Sequence, residues 1–219
     1  MCGRYTLVPN NDFYNRFEAE NRLDDLLPHY NIAPGQTLPV ITHNSPNQVV
    51  LMRWGLIPSW AKDPKIAYHT INAKAETVAT KPAFRSSFKT KRCLVPASGF
   101  YEWKKLDSKK KQPFYFQLKS QELFSFAGLY DIWKNENGEE HKTYTIITTV
   151  ANEDVAIVHD RMPVILNKKD ESVWLDKETD LIKLQKLLRP YSKNKIFGHA
   201  VSSLVNDTKL NDKSLIKAL

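Results

Sequence analysis

At 219 residues with 42% hydrophobic content, the chain can bury a real core as one large domain or two small ones. Its 32 Lys and Arg against 24 Asp and Glu give a formal charge of +8, which favours a polyanionic partner without requiring one. No run approaches the ~20 apolar residues of a membrane span, no basic segment followed by an apolar run marks a secretory signal, and the two cysteines, Cys2 and Cys93, are too few for a disulfide scaffold or a zinc site.

The chain begins Met1-Cys2-Gly3-Arg4, and Cys2 to Val8 reads as a short strand stopped by Pro9. Asn11 or Asp12 can cap a helix in which Phe13 and Phe17 share one face. Pro28, Pro34-Gly35 and Pro39 predict an irregular segment from Leu26 to Pro39. Leu38 to Thr42 and Gln48 to Trp54 read as paired strands around Asn44-Ser45-Pro46, and Gly55 to Pro64 as a loop carrying Pro58 and Trp60. A short helix is expected from about Ala73 to Ala79. The middle is strand-rich: Arg92 to Val95, Phe100 to Lys104, Pro113 to Leu118, Leu123 to Trp133 and Lys142 to Val150. Asn137-Gly138 marks a hairpin between the last two, and the run Lys109-Lys110-Lys111 reads as a solvated hairpin tip. Helices are predicted at Lys169 to Leu175 and Glu178 to Leu188, the second ended by Pro190. With no repeat, linker or composition break, the expected fold is a single α+β domain over residues 1–219, a curled, mostly antiparallel, barrel-like β-sheet surrounded by helices.

Loss of the initiator methionine, which the small Cys2 side chain favours, would leave a 1,2-aminothiol. An α-amine near ~7.7–8.0 and a thiol near ~8.5 both titrate close to cellular pH. Such a terminus offers two chemistries. The thiol can attack a carbonyl with its own amine as base, or the amine can condense with an aldehyde to an imine that the thiol closes into a thiazolidine.

Four further stretches place polar groups among apolar ones. In Ile71 to Thr77, Asn72 is a helix cap or an amide that positions an amine or oxyanion, and Lys74 offers a cation to phosphate. In Gly99 to Lys104, Glu102 lies between Tyr101 and Trp103; facing inward it would be desolvated and suited to proton transfer, facing outward it would be solvated. In Val158 to Pro163, His159 precedes Asp160-Arg161 and can exchange a proton near neutral pH. Trp54, Trp60, Lys62, Phe84, Arg85, Phe88 and Lys89 interleave aromatics with cations, as a single-strand binding surface does; Phe84 and Phe88, four residues apart, read better as core. No pair of histidines has metal-ligand spacing, so no metal and no cofactor is expected.

Met1 to Tyr5, Tyr30-Asn31-Ile32-Ala33-Pro34-Gly35, Arg53-Trp54-Gly55-Leu56-Ile57-Pro58, Ile71 to Thr77, Gly99-Phe100-Tyr101-Glu102-Trp103 and His159-Asp160-Arg161-Met162-Pro163 occur in one order. Together they resemble the SRAP family, the SOS response-associated peptidases or abasic-site-shielding proteins, over nearly the whole chain. The resemblance implies a partner, single-stranded DNA carrying abasic sites, and a chemistry, capture of the ring-opened aldehyde on the N-terminal cysteine. It implies Cys2 as the covalent residue, Asn72 as holder of its amine and the opened sugar, and Glu102 and His159 as proton-transfer groups. Arg4, Trp54, Trp60, Lys74, Arg85 and Arg161 become expected strand contacts, and Thr148 or Thr149, Thr149 foremost, an expected lining residue. Lys74 stands where the family's motif usually has arginine, which keeps the charge but loses the bidentate fork. A cytoplasmic, nucleoid-associated monomer without membrane contact is expected.

Three other readings stay open. An N-terminal nucleophile glutamine amidotransferase also begins Met-Cys-Gly, and Asn137-Gly138 resembles its asparagine-glycine element. Cys2 could be a peptidase nucleophile that cleaves its own Met1 bond. The third is a non-covalent single-strand-binding module.

Overall fold

The computed structural model describes residues 2–107 and 110–219. Among them the strands are β1 (Arg4–Leu7), β2 (His29–Ile32), β3 (Thr37–Thr42), β4 (Ser45–Trp54), β5 (Asn72–Lys74), β6 (Arg92–Ala97), β7 (Gly99–Lys105), β8 (Lys111–Leu118), β9 (Phe124–Lys134), β10 (Glu140–Val150), β11 (Arg161–Pro163), β12 (Ile165–Leu166) and β13 (Ile196–Ala200). The helices are short: α1 (Phe13–Arg16), α2 (Arg85–Thr90), α3 (Glu153–Ala156), α4 (Lys168–Leu175) and α5 (Leu181–Leu187). Among the described residues, no helix is long and apolar enough to cross a membrane. The fold is α+β, as expected.

The two longest strands, β9 and β10, form the hairpin that Asn137-Gly138 predicts; Gly138 takes a positive φ of 81° in the connecting turn. From this hairpin the chain closes a five-stranded barrel in the order β10-β4-β3-β6-β9 and back to β10. All its pairings are antiparallel except β4 with β10, so the barrel is mixed. A second, antiparallel sheet runs β13-β8-β7-β1-β2. Lys105 pairs with Lys111 where β7 returns as β8, as the hairpin-tip reading requires, although Lys109 itself lies outside the described residues.

Local pattern and outcome part at three places. Residues expected to open a helix at Ala73 instead form β5, because Asn72–Lys74 pair in parallel with Ile146–Thr148 along the edge of β10; a barrel edge in need of partners outweighs a weak helix preference. The segment 26–39, expected to be irregular, contains β2 between Pro28 and Pro34, where its backbone pairs with β1. The helix expected from Glu178 begins at Leu181, since the Asp180 carboxylate caps it by accepting from the Lys183 amide. Phe84, just before α2, and Phe88 within it are buried core residues, as their spacing indicates.

The alternation along β7 shows how the layers sit. Phe100 packs on Phe116 and Phe126 in the main core, while Tyr101 packs with Tyr115, Val201, Val205 and Leu215 on the opposite face. Residues 201–216 therefore cover the outer face of the second sheet, and Gly99 to Glu102 of β7 are buried on both faces.

Arg92 secures the helical side of the barrel. It is 1% exposed, and its guanidinium donates to the carbonyls of Lys89 (2.7 Å) and Phe88 (3.2 Å) at the end of α2, and to Trp174 and Asp176 (2.7 Å each) at the end of α4. One cation thus satisfies the orphan carbonyls of two helix ends. Arg92→Met should keep the packed stem, strand those carbonyls and cost about 2–4 kcal/mol. Urea midpoints at constant m-value check this, and a loss below about 0.5 kcal/mol would mean that water satisfies the helix ends.

Candidate active site

Antiparallel pairing of β1 with β7 places Arg4 opposite Tyr101 and Tyr5 opposite Phe100, so Cys2, just before β1, and Glu102 lie at the same end of that ladder. Glu102 shares the core-facing side of β7 with Phe100. It is 2% exposed, which resolves the open phase in favour of the inward carboxylate. Burial pushes its carboxyl up to about 7, with the charge of Asp160 adding to the effect.

On the barrel side, β10 carries β5 along one edge and β11 on the other, setting Ile146 against Asn72, Thr148 against both Lys74 and Pro163, and Val150 against Arg161. The turn before β11 swings His159 toward the second sheet, where its Nε2 stands 3.8 Å from Glu102 Oε2. His159 Nδ1 accepts from the Arg161 amide at 3.0 Å, and Asp160 Oδ1 lies 3.0 Å from the same nitrogen. Burial lowers the imidazole pKa while Asp160 opposes it, leaving a neutral ring near pH 7.

Cys2 is fully buried. Its thiol, 3.8 Å from the Arg4 carbonyl, is pushed up by burial and next by the nearby charge of Glu102. Cys2, Glu102 and His159 therefore converge where the sheet meets the barrel mouth. Asn72, on β5 of the barrel wall, connects to β1 through Trp54 and Tyr5. Its Nδ2 and the Trp54 indole N–H both donate to the Ile71 carbonyl, at 3.0 and 2.9 Å, and Trp54 packs edge-on against Tyr5 with centroids 5.2 Å apart. The buried Asn72 Oδ1 has no partner among the described residues, so an acceptor is ready for an incoming N–H or O–H.

The expected strand contacts divide. Trp60 is 58% exposed on the rim of a groove of about 400 Å³ shared with Lys62, Lys65 and His69, and Lys74 is exposed beside Thr148. Both are open to solvent. Trp54 is not: at 1% exposure, between Tyr5 and Tyr144, it has no face to offer a base and is a core residue. Arg4 turns to the sheet face covered by the C-terminal segment. There Nη1 donates to Asn31 Oδ1 and the Val205 carbonyl, both at 2.6 Å, over the Trp103 ring. Arg161 is also engaged: Nη1 and Nη2 grip Glu76 at 2.6 and 3.0 Å, and Nη2 donates to the Thr148 carbonyl at 2.7 Å. Arg85 is exposed on α2, which packs on β6 and β9. Both threonines are buried; Thr148 has its hydroxyl near Arg161 (3.4 Å), whereas Thr149 pairs with Met162.

Sequence reasoning passed over two residues. Glu76 lies inside the Ile71 to Thr77 string, but its partner Arg161 is remote in sequence. Asn31 is buried and its Nδ2 lies within hydrogen-bonding distance of the carbonyls of Val205, Asp207 and Leu210, tying the C-terminal segment to β2. An asparagine inside Tyr30-Asn31-Ile32-Ala33-Pro34 could have signalled such a hub. Asn137-Gly138, the feature favouring an amidotransferase, is accounted for by its hairpin, in which the Asn137 amide donates to Asn135 Oδ1.

Comparison with known proteins adds independent findings. The family model for SOS response associated peptidase (SRAP) matches residues 1–208. The chain is 48% identical to the abasic site processing protein YoqW of Bacillus subtilis, covering 100% of both chains. It is 36% identical to the abasic site processing protein HMCES of Xenopus tropicalis, covering 90% of this chain and 68% of that one. A crystal structure of a protein from Bacteroides thetaiotaomicron superposes with a TM-score of 0.91 at 29% identity, covering 100% of both chains.

Proposed function

Because the chain belongs to the SOS response associated peptidase (SRAP) family, we propose that it processes abasic sites in single-stranded DNA by forming a covalent thiazolidine between Cys2 and the ring-opened aldehyde. The abasic site processing proteins it resembles supply the substrate class. The observation that carries the chemistry is the burial of Cys2 near Glu102, a carboxyl 2% exposed, with the His159 Nε2 3.8 Å from Glu102 Oε2.

With Met1 gone, the neutral α-amine attacks the aldehyde carbon. The resulting carbinolamine loses its hydroxyl as water, and protonated Glu102 supplies the proton that this leaving group needs. Asn72 Oδ1 accepts from the amine or the sugar hydroxyl and keeps the two reactants aligned. The thiol then adds to the imine carbon. A carbon–sulfur bond forms, the sulfur proton leaves through Glu102 or His159, and the ring nitrogen takes up a proton. One water is released overall, and no oxidant or reductant is needed. Self-cleavage of the Met1–Cys2 bond and lyase-like strand scission belong to the same proposal, as do a monomeric state and work at the nucleoid.

Intact mass of processed protein incubated with an abasic single-stranded oligonucleotide tests this reading. The expected product weighs protein plus oligonucleotide minus one water, and no covalent product would overturn it. Binding before reaction should be salt-dependent, weakening by roughly 0.7 log units per decade of salt for each phosphate contacted on a single strand. Lys74→Ala should flatten that slope by about one contact. Trp60→Ala should cost roughly 1–3 kcal/mol of single-strand affinity if its exposed ring stacks a base. Fluorescence-anisotropy titrations at several salt concentrations read both, and unchanged slope and affinity in both variants would remove this surface from the binding path.

A further inference from the structure

The Glu76–Arg161 pair joins two motifs that lie far apart in sequence, the one that carries Asn72 and the one that carries His159. Arg161 is held through its guanidinium by both carboxylate oxygens of Glu76, at 2.6 and 3.0 Å, by the Thr148 carbonyl at 2.7 Å and, at 3.4 Å, by the Thr148 hydroxyl. Its own backbone amide is the donor to His159 Nδ1, at 3.0 Å. A ring nitrogen that accepts a hydrogen bond carries no hydrogen, so the neutral ring bears its proton on Nε2, the atom facing Glu102. Asp160 Oδ1, 3.0 Å from Nδ1, favours the opposite tautomer, in which Nδ1–H would donate to that carboxylate. Two neighbours thus contend for one nitrogen, and the outcome depends on where the Arg161 amide is held.

We propose that Glu76 is a positioning residue for His159: by gripping the Arg161 guanidinium it fixes the Arg161 backbone, and so keeps the imidazole proton on Nε2 toward Glu102. Glu76 touches neither the thiol nor the aldehyde in this scheme. A bidentate arginine–carboxylate pair suits the task because it fixes orientation as well as distance. The burial of Arg161, whose side chain is 13% exposed, shields the pair on one side. The link to reaction rate rests on the abasic-site reading above, but the tautomer is a property of the protein alone.

The test uses the processed full chain without DNA. ¹⁵N-imidazole NMR at about pH 8, above the ordinary histidine value of ~6.5, reports which nitrogen is protonated, with the His159 signals assigned by their loss in His159→Gln. The wild type should show Nε2–H, and Glu76→Ala should shift the ring toward Nδ1–H. Glu76→Gln, which keeps one acceptor oxygen for Arg161, should restore most of the wild-type signal. Single-turnover adduct formation should slow in Glu76→Ala by up to about 10²-fold, the scale of a lost orientation, with affinity for intact single strands retained. A wild-type ring already in the Nδ1–H form, or an unchanged tautomer in folded Glu76→Ala, would overturn the proposal. Tighter, more salt-sensitive DNA binding as the only change would also overturn it, since Glu76 would then only compete with phosphate for Arg161. Failure of the abasic-site reading would appear separately, as a tautomer shift in a protein that forms no adduct.

Discussion

Processed protein whose first residue is Cys2 is expected to give a denaturation-resistant adduct with abasic single-stranded DNA, and protein that retains Met1 or carries an N-terminal tag is expected to give none. The thiol is identical in both; only the amine differs. Thiazolidine closure needs amine and thiol on adjacent carbons, and a peptide nitrogen cannot condense with an aldehyde. The environment of Cys2 also sets the order of events. Burial and the charge of Glu102 hold the thiol well above its ordinary range, so thiolate is scarce and attack by sulfur first is disfavoured. An α-amine of pKa ~7.8 is roughly one-seventh neutral at pH 7, and it leads. Cys2→Ser should therefore still form an imine that borohydride traps, while no stable ring accumulates. Denaturing gels with mass spectrometry of the N-terminal peptide decide the matter. An adduct on Cys2 with Met1 attached would sink the thiazolidine mechanism.

Much of this site was legible because its chemistry is carried by short local strings: the Met-Cys start, the Glu102 string between aromatics and the His159 string before a proline. What stayed hidden was set by partners distant in sequence. The phase of β7 could not be read from Tyr101-Glu102-Trp103, because residues 201–216 bury the outer face and make Tyr101 as inaccessible as Glu102. Asn72–Lys74 looked helical because local propensity contains no term for the vacant edge of β10 that captures it. Trp54 and Arg161 were expected at the DNA for their side-chain chemistry. Tyr5 and Tyr144 enclose the first and Glu76 engages the second, and neither arrangement is visible from sequence spacing. The barrel hairpin and the helices at α4 and α5 came through nearly intact, since Asn137-Gly138 and Pro190 act within a few residues of themselves, although the Asp180 cap sets the start of α5 later than expected.

Glu102→Gln is expected to make the protein more stable above pH 7 and far slower in adduct formation. Raised from 4.5 to about 7, the native carboxyl keeps a proton that the unfolded chain has already released. Its contribution is complete below pH 4.5 and is lost as pH rises through about 7, because the native state must then ionise a group that is 2% exposed. Glutamine does not ionise, so the variant should gain up to about 3 kcal/mol over wild type on the alkaline side and little near pH 4. His159 has the opposite sign. Held below its ordinary value of 6.5, it favours the folded state above that pH and penalises it as the pH falls, so comparisons made above pH 7 isolate Glu102. In catalysis the same substitution removes the acid that expels water and one of the two groups that can receive the sulfur proton, and the single-turnover rate should drop roughly 10²–10⁴-fold. Urea midpoints at about pH 5 and about pH 8, together with rates across that range, measure both effects. A carboxyl kept for its chemistry lowers stability and raises rate, so the two changes must appear in opposite directions. Equal pH dependence of stability in wild type and variant would show that Glu102 titrates normally. A wild-type rate in the variant would remove Glu102 from the proton path.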